Sequence, residues 1–409
     1  MARFFKLTCL GLITPVYCLA AVFIVDTTVD LPDIDPGNGT CKASDKTGDC
    51  SLRAAIMETN ALEGPDEIRV PAGTYLLTIT GDDDDSMVGD LDITDGELTI
   101  TGAGTDSTII DGNSIDRVFQ MLTTGVVIQD LTIRGGLGEN NIGRGGGIYI
   151  LGENELLLQR VHVTNNGANI GGGLLAIGDP TVTIDSSLFS ENFTVDFGLA
   201  NRFGSAIYCQ TCTLIINSST FAQNFDGSEA VNVTQGHLEL LNSTISGNDG
   251  GAIRTQNSNA FIKFSTIINN GGPNLSNFSF DGSHIYEIGN SVLQSDASSD
   301  CQSGDLPPVS VGYNVTSDAS CAFTMTGDMQ NTDAMLGALL DNGGLTPTHK
   351  PEDSSVLLDQ IPILSCTDNQ SMAMTVDQRG FTRPMGTKCD IGSVENPSDV
   401  NFADGFESE

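Results

Sequence analysis

The side chains of this sequence best equipped for chemistry are its acids. Asp82, Asp83, Asp84 and Asp85 form one unbroken run between strand-like segments, and oxygen-rich loops of this kind can supply calcium ligands. The run lacks the alternation of a dedicated calcium loop, so a solvated charge run is the competing reading, and calcium is the one cofactor these residues could hold. Asp130 and Asp185 precede equivalent repeated runs and, with Glu191, are placed to line one face. A glycosidase needs acids held across one face, whereas a lyase needs a cationic base and usually a calcium-binding carboxylate cluster. The basic residues of the repeats, Arg134, Arg144, Arg160, Arg202, Arg254 and Lys263, fall at different phases and form no evident cluster. His162, His237, His284 and His349 show no nucleophile or metal spacing, and with no Trp and six Tyr the chain is poor in stacking platforms for sugars. No catalytic residue is assigned on this basis.

Cysteine chemistry points to covalent stapling. Beyond the first twenty residues the cysteines fall into sequence-near pairs: Cys41 and Cys50, Cys209 and Cys212, Cys301 and Cys321, Cys366 and Cys389. An even number in an exported chain argues for disulfides, although proximity alone does not fix the connectivity. Cys209-Gln-Thr-Cys212 also has the spacing of a redox pair or half a zinc site, but no helix follows it and no second Cys or His pair is suitably spaced.

The elements that must position these residues are repeats. Leu131-Thr-Ile-Arg-Gly-Gly136, Val161-His-Val-Thr-Asn-Asn166, Ser187-Leu-Phe-Ser-Glu-Asn192, Ser219-Thr-Phe-Ala-Gln-Asn224, Ser243-Thr-Ile-Ser-Gly-Asn248 and Ser265-Thr-Ile-Ile-Asn-Asn270 are one pattern returning. Gly145-Gly-Gly-Ile148, Gly171-Gly-Gly-Leu174, Gly204-Ser-Ala-Ile207 and Gly250-Gly-Ala-Ile253 are a second pattern set between them. Irregular periods of roughly 20–30 residues, built from short β-type runs and Gly, Asn or Asp corners, are the signature of a solenoid. Within the runs apolar and polar residues alternate, as in Leu238-Glu-Leu240 and Val182-Thr-Ile184, so one side faces inward and the other faces solvent. Stacked coils would set the terminal asparagines in a ladder along one corner. Ser51 to Leu62 is the one convincing helix, with Ser51 as N-cap, and it is expected to lid the first rung.

Arg3 and Lys6 precede an apolar run ending at Ala20 and Ala21, which reads as a secretory leader over residues 1–20. No later stretch is long and apolar enough to span a bilayer. The formal net charge of −36 repels nucleic acid and anionic lipid, and excludes both as partners.

Several motifs carry resemblances. Phe189-Ser-Glu-Asn192, Phe221-Ala-Gln-Asn224 and Gly250-Gly-Ala-Ile253 resemble the alternating repeats of polymorphic outer-membrane proteins, and the region is similar to right-handed parallel β-helices of the pectin-lyase-like fold. Cys50-Ser-Leu-Arg-Ala-Ala-Ile56, with Pro71-Ala-Gly-Thr-Tyr75 and Gly89-Asp-Leu-Asp-Ile93, resembles the head of exported bacterial CSLREA-domain proteins, except that Ala54 stands where that family usually has Glu. Asp341-Asn-Gly-Gly-Leu-Thr-Pro-Thr-His349, Ser354 to Asp359, Asp377-Gln-Arg-Gly-Phe-Thr-Arg-Pro384 and Cys389-Asp-Ile-Gly392 resemble a choice-of-anchor Q domain, which in its family closes a β-helix.

The expected organisation is a leader (1–20), an N-terminal strand, disulfide loop and capping helix (21–95), parallel β-helix repeats (96–300), a closing region (301–395) and an acidic tail (396–409). The fold expected is all-β, a right-handed parallel β-helix. The expected function is a non-enzymatic, secreted or surface-displayed adhesion or structural protein, with an extracellular glycan or matrix protein as partner. The alternative is a polysaccharide lyase or glycoside hydrolase of the pectin-lyase-like fold.

Overall fold

The computed structural model describes residues 20–43, 48–138, 143–196, 202–280, 282–304 and 307–396. Apart from Ala20 and Asn396, the predicted leader and acidic tail lie outside these residues. The chain winds as a right-handed parallel β-helix, as the repeats predict. Each coil contributes a strand to three faces, exemplified by Thr213–Asn217 (sheet 1), Thr220–Ala222 (sheet 2) and Glu229–Thr234 (sheet 3). Sheet 3 holds nine strands, from Leu91–Ile93 to Cys301–Ser303. Sheets 1 and 2 meet at a sharp bend whose central residue sits in the left-handed region, as at Asp130 (φ 58°), Arg160 (φ 52°) and Ser218 (φ 49°).

Alternation does what the sequence requires of it. Leu238 and Leu240 point inward and Glu239 outward, and the parallel register stacks Ile184, Ile216, Leu240, Ile262 and Ile288 in one column. Phe189 and Phe221 stack inside at 5.0 Å. The asparagine corner forms as predicted. Each Nδ2 donates to the Oδ1 of the next rung, through Asn166, Asn192, Asn224, Asn248 and Asn270, at 3.1, 3.1, 2.9 and 2.8 Å. Each Oδ1 also accepts the preceding asparagine's backbone N–H, which satisfies polar groups that a corner would otherwise bury unpaired.

Helix α1 (Leu52–Asn60) packs against the strands Asp66–Arg69 of sheet 1 and Leu91–Ile93 of sheet 3. The Ser51 hydroxyl accepts the Ala54 N–H, which is the predicted cap. The helix is buried over nearly its whole circumference because polar groups on it are paired. Glu58 accepts backbone N–H groups of Gly37, Gly39 and Thr40, while Arg53 pairs with Asp30 and donates to the carbonyls of Ser86, Gly89 and Asp90.

The far end has two parts. Phe323 and the Cys301–Cys321 link join the main core at the last rungs, so the stretch after Thr316 does the sealing. Residues 332–396 instead run back along the outside of sheet 2. Their Ala334, Leu357, Ile361 and Ile391 form a second core with Phe264, Ile268, Val292 and Val315. All four sequence-near cysteine pairs are disulfides, and Cys209 and Cys212 are buried within the coil.

Candidate functional site

Arg160 and His162 flank the inward-facing Val161 and both point out of the coil, the first at the bend and the second on sheet 2. With Asp130, Ser186 and Leu188 they form the floor of a cleft of about 410 Å³, ended by Thr105 and Asp106 on one side and by Leu345 on the other. Arg160 holds Asp130 of the preceding rung through Nε and Nη2, at 2.6 and 2.7 Å. Among the described residues its Nη1 has no hydrogen-bond partner, leaving one face of the guanidinium open to an anion.

Burial favours the neutral form of His162. Burial lowers its pKa from the ordinary histidine value, against an opposing pull from Glu191 and Asp106. Its Nε2 lies 2.7 Å from the Ser190 hydroxyl, which itself donates to Thr164 Oγ1 at 3.2 Å. In the tautomer protonated at Nε2, which lets Ser190 pass its own proton to Thr164, the Nδ1 lone pair is an acceptor. A neutral imidazole beside a guanidinium can take a proton from carbon next to a carboxylate that the guanidinium neutralises.

The sequence-selected residues do not converge on this cleft as a set. Asp130 lines it, but Asp185 is held by Gln159 at 3.1 Å and Glu191 by Asn165 at 3.0 Å at the next corner. Asp130 and Asp185 therefore flank one rung without forming a hydrolytic acid pair. Arg134 pairs with Asp111, and Arg254 with Glu229 on sheet 3 beneath the Phe278 ring. Lys263 is pinned to the carbonyls of Thr367 and Asp368. The basic residues are dispersed, as the sequence implies.

Asp82 to Asp85 do not assemble as calcium ligands in this structure. Asp83 accepts the N–H groups of Asp85 and Val88, and Asp84 accepts from Gln120. Among the described residues no three His, Cys, Asp or Glu side chains converge as a metal site. Next to this loop two acids are buried, Asp90 against Arg117 and Asp92 beneath Ser86. Burial raises them to about 7 and about 8 respectively, but they are closed to solvent and cannot meet a polymer.

Asp377, Arg379 and Arg383 are structural. Arg379 makes a paired contact with Asp377, and Arg383 is wholly buried between Glu395 and the Phe264 ring. A larger cleft of about 650 Å³, between the hairpin Leu336–Pro351 and the asparagine corner, contains His349. Both nitrogens of that histidine are engaged, by the Gly337 carbonyl and the Ser246 hydroxyl, so it supplies no base.

His162 is the residue that sequence reasoning passed over. Its signal was the outward phase it shares with Arg160, legible once Val161 and Val163 are assigned inward. Ser190 adds to it one coil later, through the pairing of Thr164 with Ser190.

No family model matches the chain, and no curated protein matches it in sequence. The CSLREA and choice-of-anchor Q resemblances therefore rest on the quoted motifs alone. Among solved structures, pectate lyase Pel9A is similar over 92% of this chain and 96% of its own, with 14% identity and a TM-score of 0.51. The A-module of Azotobacter vinelandii mannuronan C-5 epimerase AlgE6 covers 75% of this chain and 95% of its own, at 14% identity and a TM-score of 0.37. At such identities the likeness is one of fold: this chain is a parallel β-helix of the pectin-lyase-like kind.

Proposed function

We propose that this protein is exported and cleaves an acidic polysaccharide by β-elimination, in the Arg160–His162 cleft. The observation that carries this reading is geometric: the His162 imidazole, hydrogen-bonded among the described residues through Nε2 alone, stands two positions from the Arg160 guanidinium on the floor of one cleft. In the reaction Arg160 pairs with a uronate carboxylate, which acidifies the adjacent C–H. His162 Nδ1 takes that proton, the C–H electron pair becomes the new carbon–carbon double bond, and the bond to the glycosidic oxygen breaks. The departing oxygen takes a proton from water, and one sugar ring is left unsaturated.

Support for this class over adhesion comes from the cleft chemistry, with the pectate-lyase-like fold raising the prior and not proving the activity. The leader-like N-terminus and the four disulfides support export. A hydrolytic mechanism lacks an acid of raised pKa in the cleft, since the raised carboxyls are buried elsewhere. The test is to incubate the purified protein with pectate, alginate and neutral polysaccharides and follow ultraviolet absorbance of unsaturated ends and, separately, reducing ends. Absorbance growth on a uronate polymer supports the proposal. Reducing ends without absorbance would mean hydrolysis, and silence on every uronate with binding retained would return the protein to the adhesive class.

A further inference from the structure

Among the described residues, the outer face of sheet 2 is uncovered over its first coils. From Thr220 onward the run 332–396 occupies it. Thr220 Oγ1 donates to the Pro347 carbonyl at 2.7 Å, Thr244 Oγ1 to Gln378 at 2.6 Å, and Thr266 Oγ1 accepts the Ser393 N–H at 3.1 Å. His349 closes over Ser246 in the same way. A polysaccharide lying along the coil axis past His162 therefore meets protein at the Ser218–Thr220 coil.

What it meets is Leu345. This leucine is 64% exposed and lines the cleft beside Asp106, Asp130 and Arg160, an apolar surface among charged ones. The turn that presents it is fixed. Arg379 Nη1 donates to the Asn342 carbonyl at 3.2 Å, Asn342 Nδ2 to the Thr348 carbonyl at 2.7 Å, and Gln378 Nε2 to Thr346 Oγ1 at 3.0 Å. Gly344 has φ of 102°, and a Cβ there would lie 2.7 Å from the Arg379 Cα, so the turn seats directly on the closing run. At the opposite end the Thr105 carbonyl is fixed by Thr132 Oγ1 at 2.8 Å. Between Thr105 and the Leu345 wall lie the coils of Asp130, Arg160 and Ser186, which at ~4.8 Å per coil is room for a few sugars at the end of a chain.

Resting on the reading of this cleft as a uronate site, we infer that it binds the end of an acidic polysaccharide, or a free short oligosaccharide, and not the interior of a long chain. Leu345 is the wall against which the terminal sugar packs. Loop residues with no part in the coil thus decide which portion of the polymer is used.

The experiment is binding of size-fractionated oligogalacturonates and oligomannuronates to the wild-type protein, short and long fractions separately, by calorimetry. The inference expects protein bound in proportion to chain ends, with the same stoichiometry per molecule for both fractions. On a cleavable polymer, viscosity should then fall slowly relative to the absorbance of unsaturated ends. Leu345→Ala should shift the ratio of rates on long and short fractions several-fold toward the long. Binding in proportion to polymer length, or rapid loss of viscosity, would overturn end selection while leaving the uronate site intact. No binding of either fraction would overturn both.

Discussion

Asn224 shows how one residue type does the work of a corner. Its Oδ1 accepts from the backbone and side chain of Asn192, while its Nδ2 donates to Asn248 and to the Phe189 carbonyl. Asn224→Ala would leave several buried groups unpaired and should destabilise the protein by about 3 kcal/mol, measured by denaturant unfolding; an unchanged midpoint would show that the ladder is decorative. This residue was legible in the sequence because a corner asparagine recurs at one phase. His162 and Arg160 were not, because each occurs once: a repeat reports what every coil needs, and a site is what one coil has alone. Leu345 was less legible still, since it reaches the cleft from far along the chain.

At the scale of elements, helix α1 and the acidic loop form one unit. Arg53 grips the carbonyls of Ser86, Gly89 and Asp90, so the loop lies clamped between helix and sheet 3. The helix and its cap could be read from Ser51 and the apolar spacing. Its burial on every side could not, because the partners of Arg53 and Glu58 lie on loops without a pattern. The clamp buries Asp90 and Asp92 together, and burial raises both, so the native pair holds protons that the unfolded chain releases near pH ~4. Their contribution to stability is full below that value and is lost as pH rises through about 7 and about 8. Asp92→Asn should therefore flatten the fall in melting temperature between neutral and mildly alkaline pH. A fall as steep as in the wild type would show that this pair does not carry it.

For the whole molecule, the strongly acidic charge works against the proposed substrate. A net charge of −36 repels a polyuronate, and Asp106 and Asp130 stand in the cleft itself. Raising ionic strength from ~0.01 M to ~0.15 M shortens the screening length from ~30 Å to ~8 Å. It should raise kcat/KM on a polyuronate, where a basic site would show the opposite trend. The coil was the most legible feature of the chain, since hydrophobic alternation and corner residues are repeated in every turn. The return of residues 332–396 along sheet 2 was not, because its contacts with Thr220, Thr244 and Thr266 join irregular loop to strand without periodicity.

Side-by-side kinetics of the wild type, His162→Ala and Arg160→Ala on a uronate polymer test the pairing of base and cation in one cleft most directly. The account predicts unsaturated product from the wild type, at least a hundredfold loss of kcat in His162→Ala, and a raised KM in Arg160→Ala, with melting temperatures little changed. A His162→Ala protein that forms unsaturated product at the wild-type rate would contradict it.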